Sequence, residues 1–536
     1  MTMKRPLTAL AALLCATTLL SAPSTATAKP PGGPPEPRPA GSTEKATAPT
    51  HPDRVPDPDA RLGAGWRRAT DRAVTTSSDA TGLHLLVADE AQAYAWRTAA
   101  TLAEPGLDAD QWIGQACVTG SGRRAVVVYG PRTFTNREPL MQRGGTRQAK
   151  YVVRRPNGTT EHRTIPTQWE ANKWVNLGVF DFTGSGTPKV ELSNFTLDGT
   201  GVQDIAWDAI AVQPLPSKPR HFVVALGDSY SSGEGSGAYT RVSDQYGDDA
   251  ANRNSCRRSP NAWSQKATIP GAPGTIGSLA AGHNVTIDAQ FVACSGARAH
   301  NVMSPDLVTD GKWQGTRVEG QYGEISQIDQ GSLNANTTAV MFSIGGNDAR
   351  FTKVGDSCAK GFDCSAPDYV MEGDNKPLGE KQTELINGVV KDSVREVVRQ
   401  VRVRAPNARI FVMGYPHLFE PGCQYAITLP PAFTVGLSTN ETAFLNSLAD
   451  QMAAILPSDA ANKVHGMDAR SEFGGHGICA ASTEYLNGFV VPDLQEDEDG
   501  DPVQASSMET LHPNQDGSLA YARILNNYMS LYGYNW

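Results

Sequence analysis

The sequence predicts an α/β fold: a three-layer α/β/α domain built on a parallel sheet, preceded by an all-β sandwich. From residue 221 onward, apolar strand patterns alternate with helical patterns, and such alternation produces a parallel sheet covered by helices on both faces. From residue 61 to 213, short strand patterns are separated by Gly, Asn and Pro turns, which is typical of a β-sandwich.

Residues 1–28 have the pattern of a secretory signal peptide. Two basic residues precede an apolar run from Leu7 to Leu20, and Ala26 to Ala28 form a small-residue cleavage site. The run is shorter than the ~20 residues that a membrane-spanning helix needs. Cys15 follows a leucine, which argues against a lipid anchor. We therefore expect an extracellular protein without a membrane anchor, whose mature chain begins at Lys29.

The next segment, residues 29–60, is rich in Pro, Ala and Thr and has almost no large apolar residue. Such a segment cannot bury enough apolar surface to fold, so it is predicted to be a disordered leader, with a wall-spanning tether as the alternative.

The sandwich is predicted over residues 61–213, and residues 214–220 read as a proline-stiffened linker. The part from about Lys150 to Val212, with Trp174, Leu177-Gly178 and Val190 to Ser193, resembles the golvesin-type β-sandwich modules of secreted bacterial hydrolases. Three tryptophans there either stack on sugar rings or fill the sandwich core, so contact with a polysaccharide is one expectation; they are Trp169, Trp174 and Trp207.

The domain predicted over residues 221–536 has five strand patterns and three long helical ones. The predicted strands are Phe222–Leu226, Val285–Ala293, Ala339–Ile344, Ile410–Tyr415 and Lys463–Met467, and the helices are Glu384–Val403, Glu441–Leu456 and Asn514–Leu531.

Composition excludes some classes of function. The net charge of −9 and the lack of a basic run argue against a nucleic-acid partner. HExxH and CxxC patterns are absent, and the acidic run Asp497 to Asp501 reads as a solvated turn more readily than as a calcium loop. We expect a monomer without a metal or cofactor.

The chemistry centres on Phe222 to Gly235, where an apolar strand runs straight into Ser229 on a glycine-rich turn. Ligands of open α/β sheets bind at the carboxyl ends of the strands, which is where Ser229 is predicted. A second strand pattern, Thr338 to Asp348, ends on Asn347, and Leu511 to Gly517 places His512 before a helix. Together they offer a nucleophile, an amide donor and a base.

These stretches, with Ala293 to Gly296 between them, resemble the SGNH (GDSL-type) hydrolases in the same order along the chain. Tyr230 stands where the namesake motif has leucine, as in many secreted actinobacterial-type esterases and lipases of the family. The resemblance implies Ser229 as nucleophile and His512 as base. It implies an oxyanion hole formed by the main-chain N–H groups of Ser229 and Gly296 and the side-chain amide of Asn347.

The function implied is a secreted serine esterase or lipase that cleaves small-molecule or lipid carboxylic esters through an acyl-enzyme. A carbohydrate O-deacetylase is the alternative within enzymes, and a glycan- or wall-binding protein with an inactive hydrolase domain is the alternative outside them. The third catalytic member is open: Glu509, three residues before His512, is favoured to orient the imidazole, while some secreted members of the family use a main-chain carbonyl instead.

Seven cysteines follow the signal peptide, and export favours disulfides. Six of them fall in the predicted hydrolase domain and allow fifteen pairings. Their order and the resemblance to secreted family members favour Cys256–Cys294, Cys358–Cys364 and Cys423–Cys479, which leaves Cys117 as a free thiol.

Overall fold

The computed structural model describes the chain from residue 148 onward with several gaps, and by its backbone alone in short strands elsewhere. The described ranges are residues 148–155, 157–166, 173–180, 189–193, 209–215, 217–240, 243, 255–308, 324–359, 363–429, 433–490 and 509–536. The predicted signal peptide lies outside them.

Twelve strands are described before residue 215, and all of their pairings are antiparallel. They are β1 (Thr43–Ala46), β2 (Arg67–Arg68), β3 (Val74–Asp79), β4 (Gly82–Asp89), β5 (Gln92–Thr98), β6 (Trp112–Cys117), β7 (Gly122–Tyr129), β8 (Ala149–Arg154), β9 (Thr160–Ile165), β10 (Lys173–Val179), β11 (Lys189–Ser193) and β12 (Ala209–Pro214). β1 falls inside the predicted leader and pairs with β3.

Most side chains of this N-terminal part lie outside the described residues. The sandwich, its golvesin-like character and a sugar-binding role for Trp169, Trp174 and Trp207 therefore remain predictions, as does the free thiol of Cys117.

The remaining strands include the five that form the central sheet. They are β13 (His221–Ala225), β14 (Ile287–Phe291), β15 (Ala339–Phe342), β16 (Arg409–Met413), β17 (Tyr425–Leu429), β18 (Phe433–Leu437), β19 (Val464–Met467), β20 (Gln495–Glu496) and β21 (Pro502–Val503). The sheet has the order β14-β13-β15-β16-β19, and every pairing in it is parallel. β13 and β15 are buried along their whole length because helices cover both faces of the sheet. The predicted α/β fold with a parallel sheet is confirmed.

Ten α-helices connect and cover the described strands. They are α1 (Ser229–Ser232), α2 (Trp263–Lys266), α3 (Ile276–Ala281), α4 (Ala299–Val302), α5 (Phe351–Ala359), α6 (Leu378–Leu385), α7 (Lys391–Arg404), α8 (Thr439–Ala454), α9 (Arg470–Phe473) and α10 (Gln515–Leu531). Two of the long ones begin at residues suited to satisfy free N–H groups. Ser438 and Glu441 form a capping box at α8, and the Asn514 side chain accepts from Gly517 N at α10.

The central order of the sheet brings distant segments together at one edge. β13 and β15 are neighbours, so the turns that follow them meet: Asp228 N donates to Ser343 O at 3.1 Å. The chain after β14 joins the same place, because Cys294 N donates to Gly227 O at 3.0 Å. In the part of the chain that the structure describes, no helix has the length and apolar character needed to cross a bilayer.

Candidate active site

Ser229 begins helix α1 at the carboxyl end of β13 and is 7% exposed. The turn before it requires glycine. Gly227 has φ +114°, and a Cβ there would lie 2.4 Å from Ser343 O and 2.7 Å from Ser231 Oγ. Asp228 caps α1, since its carboxylate accepts from Tyr230 N at 3.2 Å. The predicted strand-to-serine turn is thus built by close packing of the main chain.

His512 lies against Ser229, with Nε2 2.7 Å from the serine Oγ. Its Nδ1 lies 3.0 Å from the main-chain oxygen of Thr510. Because a carbonyl oxygen only accepts, this contact requires the proton on Nδ1 and leaves Nε2 free to accept from the hydroxyl. This is the tautomer that a general base for Ser229 needs.

The structure gives Nδ1 a different acceptor from the one we favoured. We expected the Glu509 carboxylate to orient the imidazole. Instead Glu509 Oε1 accepts from the Tyr239 hydroxyl at 2.7 Å and lies 3.7 Å from Arg257 Nη1. Leu511 explains how Thr510 reaches Nδ1: its φ of +61° folds the chain back two residues before Pro513, so that the carbonyl faces the ring.

Gly296 and Asn347 are the other two site residues expected from the sequence, and they belong to adjoining turns. Gly296 has φ +77°, in the turn that Cys294 ties to Gly227. Asn347 Nδ2 donates to Ala297 O at 3.0 Å, so the amide is held by the carbonyl next to Gly296. The amide nitrogen has a second hydrogen, which remains available for a ligand.

Asp228 is a buried carboxylate beneath the serine turn, at 1% exposure. It accepts from Ser343 Oγ at 2.6 Å and from the Tyr415 hydroxyl. Burial raises its pKa to about 6, and the bonds from Ser343 and Tyr415 oppose that rise. Tyr415 in turn accepts from Gly346 N at 2.9 Å, so one hydroxyl links the serine turn to the residue before Asn347. The sequence analysis did not include Tyr415 in the site.

Gln327 also supports the site and carries no sequence signal. Its Oε1 accepts from Gly227 N and its Nε2 donates to Gly227 O, each at 2.7 Å. This pair of bonds satisfies the main chain of the residue that turns the strand toward Ser229. Gln327 lies in a loop without a recognisable motif. Tyr415 ends a predicted strand, so its place in the site was easier to predict from the sequence.

Three disulfides are present: Cys256–Cys294, Cys358–Cys364 and Cys423–Cys479. These are the pairs that we expected from the order of the cysteines and the family resemblance. Among the described residues, one set of side chains could approach a common metal ion: Cys256, Cys294 and Glu324. Both of its sulfurs are in a disulfide, so the set offers no thiolate and does not fit a metal.

Comparisons with known proteins agree on the C-terminal part of the chain. Residues 225–520 match the model of the GDSL-like Lipase/Acylhydrolase family. Lipase 1 of Streptomyces coelicolor is 28% identical over 296 residues, which is 54% of this chain and 84% of that protein. A lipase of Streptomyces rimosus is 28% identical over 310 residues, which is 57% of this chain and 85% of that protein. The solved extracellular lipase of Streptomyces rimosus is 25% identical, covering 57% of this chain and 98% of the other, with a TM-score of 0.38.

Proposed function

Because this chain belongs to the GDSL-like lipase/acylhydrolase family and is a carboxylic ester hydrolase, we propose that it cleaves esters through an acyl-enzyme on Ser229, with His512 as the general base. One observation carries the proposal. The imidazole bridges two oxygens, Ser229 Oγ at 2.7 Å and Thr510 O at 3.0 Å, which is the arrangement that activates a hydroxyl.

In the proposed first step, the Ser229 oxygen attacks the ester carbonyl while its proton passes to His512 Nε2. The imidazolium that forms keeps its Nδ1 hydrogen on the Thr510 carbonyl. The same Nε2 proton is then given to the departing alkoxide, which leaves as an alcohol. Water repeats the sequence on the acyl-enzyme and releases the acid. Thr510 thus replaces Glu509 as the proposed group that orients the base.

The negative charge that develops on the carbonyl oxygen is assigned to three donors: the main-chain N–H groups of Ser229 and Gly296 and the side chain of Asn347. Preorganised donors of this kind commonly contribute the largest share of the barrier reduction. The bond from Asn347 to Ala297 O supports this assignment, because it fixes the amide before substrate arrives and so avoids reorganisation during the reaction.

We also propose that the protein is exported and that its substrates are esters with an alkyl acyl chain. The N-terminal sequence pattern and three disulfides support export. The names of the relatives, both lipases, support the substrate class. The alternative, a polysaccharide O-deacetylase, would require that the predicted β-sandwich binds a polysaccharide.

A fluorophosphonate probe tests the nucleophile directly. The folded protein should be labelled at Ser229, and Ser229→Ala should lose labelling and turnover while keeping its circular dichroism spectrum. Ser365→Ala, at a half-buried serine whose hydroxyl is hydrogen-bonded to Asp363, is the control and should behave as the parent protein. Turnover by folded Ser229→Ala would contradict the proposal. Rates on p-nitrophenyl esters from acetate to palmitate, measured beside acetylated xylan, test the substrate class.

A further inference from the structure

The serine turn and the histidine turn touch at Gly235. A Cβ at this position would lie 2.7 Å from Pro513 O and 2.8 Å from His512 Cβ. The two turns come from parts of the chain 283 residues apart, measured from Ser229 to His512. Something must hold them at this separation, because small displacements between reacting groups cost large factors in rate.

Glu234 and Arg257 form an ion pair directly beside this contact. Arg257 Nη1 lies 3.0 Å from Glu234 Oε1, and the side chains are 11% and 0% exposed. Glu234 is tied to the nucleophile, since its N donates to Ser229 O at 3.0 Å. Burial raises the pKa of Glu234 to about 7, and the guanidinium opposes that rise. Near neutral pH, Arg257 and, to a smaller extent, a hydrogen bond from the Ser295 side chain therefore favour the carboxylate form.

Glu509 connects the same arginine to the histidine turn. Its carboxylate lies 3.7 Å from Arg257 Nη1 and accepts from the Tyr239 hydroxyl at 2.7 Å. Its main-chain oxygen accepts from His512 N at 3.1 Å. Tyr239 links Glu509 back to the serine turn. Its oxygen accepts from Gly235 N at 2.9 Å, and the centre of its ring lies 4.9 Å from the Arg257 guanidinium carbon.

Arg257 also reaches the third segment of the site. Its neighbour Cys256 is bonded to Cys294, and the Cys256 carbonyl accepts from Ser295 N at 3.0 Å, one residue before Gly296. Arg257 itself has φ +47°, a conformation that L-residues hold only where surrounding contacts fix it. One residue thus lies between the nucleophile turn, the Gly296 turn and the histidine turn.

We propose that Glu234, Arg257 and Glu509 form a charged clamp that fixes the histidine turn against the nucleophile turn, with Arg257 and Glu509 as positioning residues. The inference rests on the proposed Ser229 and His512 chemistry. In the clamp, Glu509 acts through Tyr239 and Arg257 on the fold of its own turn. It thereby holds the Thr510 carbonyl on His512 Nδ1.

The clamp and a direct catalytic carboxylate predict different results for Glu509→Gln. The glutamine oxygen can still accept from Tyr239 but carries no charge toward Arg257, so the clamp predicts a loss in kcat of about threefold to tenfold. Glu509→Ala removes the acceptor and should lower kcat at least tenfold with KM within twofold. A loss of about a hundredfold or more in Glu509→Gln would overturn the clamp and return Glu509 to the role of third catalytic member.

The second test breaks the clamp at its centre. Arg257→Met should lower kcat at least tenfold, again with little change in KM. The double variant Arg257→Met/Glu234→Gln leaves no unpaired buried carboxylate at position 234, so it should fold even if the single variant does not, and it should show the same loss of kcat. Arg399→Met removes a more exposed ion pair with Glu396 within α7, far from the clamp in the chain, and is the control, with kcat unchanged.

The pH profile of kcat/KM separates positioning from mere stability. If the clamp holds Thr510 O on the imidazole, its loss weakens support for imidazolium, and the acidic limb of the profile should move to lower pH in Glu509→Ala and in the double variant. A lower melting temperature with kcat and pH profile unchanged would overturn the proposal. Turnover by Ser229→Ala would instead defeat the proposed function, so the two failures are distinguishable.

Discussion

Thr510 presents its main-chain oxygen to His512, and a neutral carbonyl stabilises an imidazolium less than a carboxylate does. A carbonyl must therefore be held firmly in place to orient the imidazole, since it lacks the charge of a carboxylate. Tyr230 contributes here, because its hydroxyl donates to Leu511 O at 2.8 Å and its ring lies 5.1 Å from the His512 ring. The tyrosine that departs from the namesake motif therefore contacts the turn that carries the proposed base.

Replacing Asn347 tests the proposed oxyanion hole. Asn347→Ala should lower kcat by about 10²–10³ while KM changes little, because the amide acts mainly on charge that develops during the reaction. Steady-state kinetics on a soluble p-nitrophenyl ester measures both constants. Asn387→Ala, at an exposed amide on the π-helical turn before α7, is the control and should leave both unchanged. An effect confined to KM would remove Asn347 from the oxyanion hole.

For single residues, the sequence could predict the members of the site that act through a distinctive side chain. It could not predict those that act through a main-chain group. Ser229, Gly296 and Asn347 follow strands in glycine-containing turns and His512 precedes a helix, and the structure brings these turns together. The sequence left the acceptor on Nδ1 open between Glu509 and a main-chain carbonyl, because any residue at position 510 would present the same carbonyl. Glu509 was favoured for its spacing, and the sequence held no sign that Tyr239 and Arg257, some 250 residues earlier in the chain, would engage its carboxylate.

The disulfide between Cys256 and Cys294 helps to hold the Gly296 turn in place. The bond closes a loop with a sequence separation of 38 residues and fixes the turn that carries Gly296. Loop closure of this size contributes roughly 4 kcal/mol to the free energy of unfolding in the chain-entropy model. Without the bond, Gly296 would depend on main-chain hydrogen bonds alone.

The double variant Cys256→Ala/Cys294→Ala should therefore lose both stability and kcat. Urea unfolding would show the loss of stability, and kinetics below the transition would show the loss of kcat in protein that is still folded. Cys358→Ala/Cys364→Ala, with a separation of only 6 residues, is the control and should lose about 2 kcal/mol with kcat retained. Equal kcat in the two double variants would show that the first disulfide serves stability alone.

β13 begins on a buried histidine that should make the sheet acid-sensitive. His221 is 1% exposed, its ring stacks on Trp536 at 5.0 Å, and neither ring nitrogen has a hydrogen-bond partner in the described part of the chain. Burial, with Arg220 as a second cause, lowers its pKa to about 4. An unfolded histidine takes up its proton near pH 6.5, so between pH 6.5 and 4 the unfolded state binds more protons.

The free energy of unfolding should consequently fall as pH drops through this window, by up to about 1.4 kcal/mol per pH unit from His221. His221→Phe keeps the ring and removes the proton site, so its stability should depend less steeply on pH. Denaturant unfolding at pH 7.5, 6 and 5 measures the difference. His417→Gln, at an exposed ring beside Asp450, serves as control. Parallel profiles for the parent protein and His221→Phe would contradict this account.

The hydrophobic pattern predicted the bounds of strands and helices well, except where the main chain departs from ideal helical geometry. The five central strands were predicted with edges shifted by at most two residues. The helix predicted over Glu384–Val403 is instead α6, a π-helical turn over Ile386–Val390, and α7. Gly388, with φ −98° and ψ −107°, interrupts the helical conformation. The spacing of valines continues across the turn and hides it, although the turn changes which of them face the core: Val390 is buried and Val389 is 48% exposed.

On the scale of the whole molecule, the β8–β9 hairpin packs against the base of the catalytic domain. Thr164 N donates to Gln330 O at 3.0 Å, and a Cβ at Gly331 would lie 2.1 Å from His162 O. Residues 214–220, predicted as a linker, contribute Leu215, which is buried against Val179 and Phe222. The β8–β9 hairpin and Leu215 are therefore packed onto the catalytic domain.

Arg163 lies at the centre of this contact and is 3% exposed. Its guanidinium donates to the carbonyls of His162 and Gly331, and burial lowers its pKa to about 10 although the nearby Asp288 opposes the change. Asp288 in turn accepts from Val179 N at 2.9 Å. The buried cation thus has two acidic groups near it: Glu161 of its own strand, whose Oε2 lies 3.8 Å from Arg163 Nη2, and Asp288 of the edge strand β14.

Asp288→Ala should destabilise the protein by about 1–3 kcal/mol, because it leaves the buried Val179 N–H without an acceptor and removes one of the two acidic groups near Arg163, the other being Glu161. Arg163→Met/Asp288→Asn removes both charges, and the asparagine oxygen still accepts from Val179, so it should recover most of that loss. Thermal unfolding followed by circular dichroism measures both variants. Since the contact lies at the opposite end of the strands from Ser229, kcat of the folded double variant should stay within twofold of the parent protein. If the single variant were as stable as the double, the charge of Asp288 would contribute nothing to holding Arg163 in this contact.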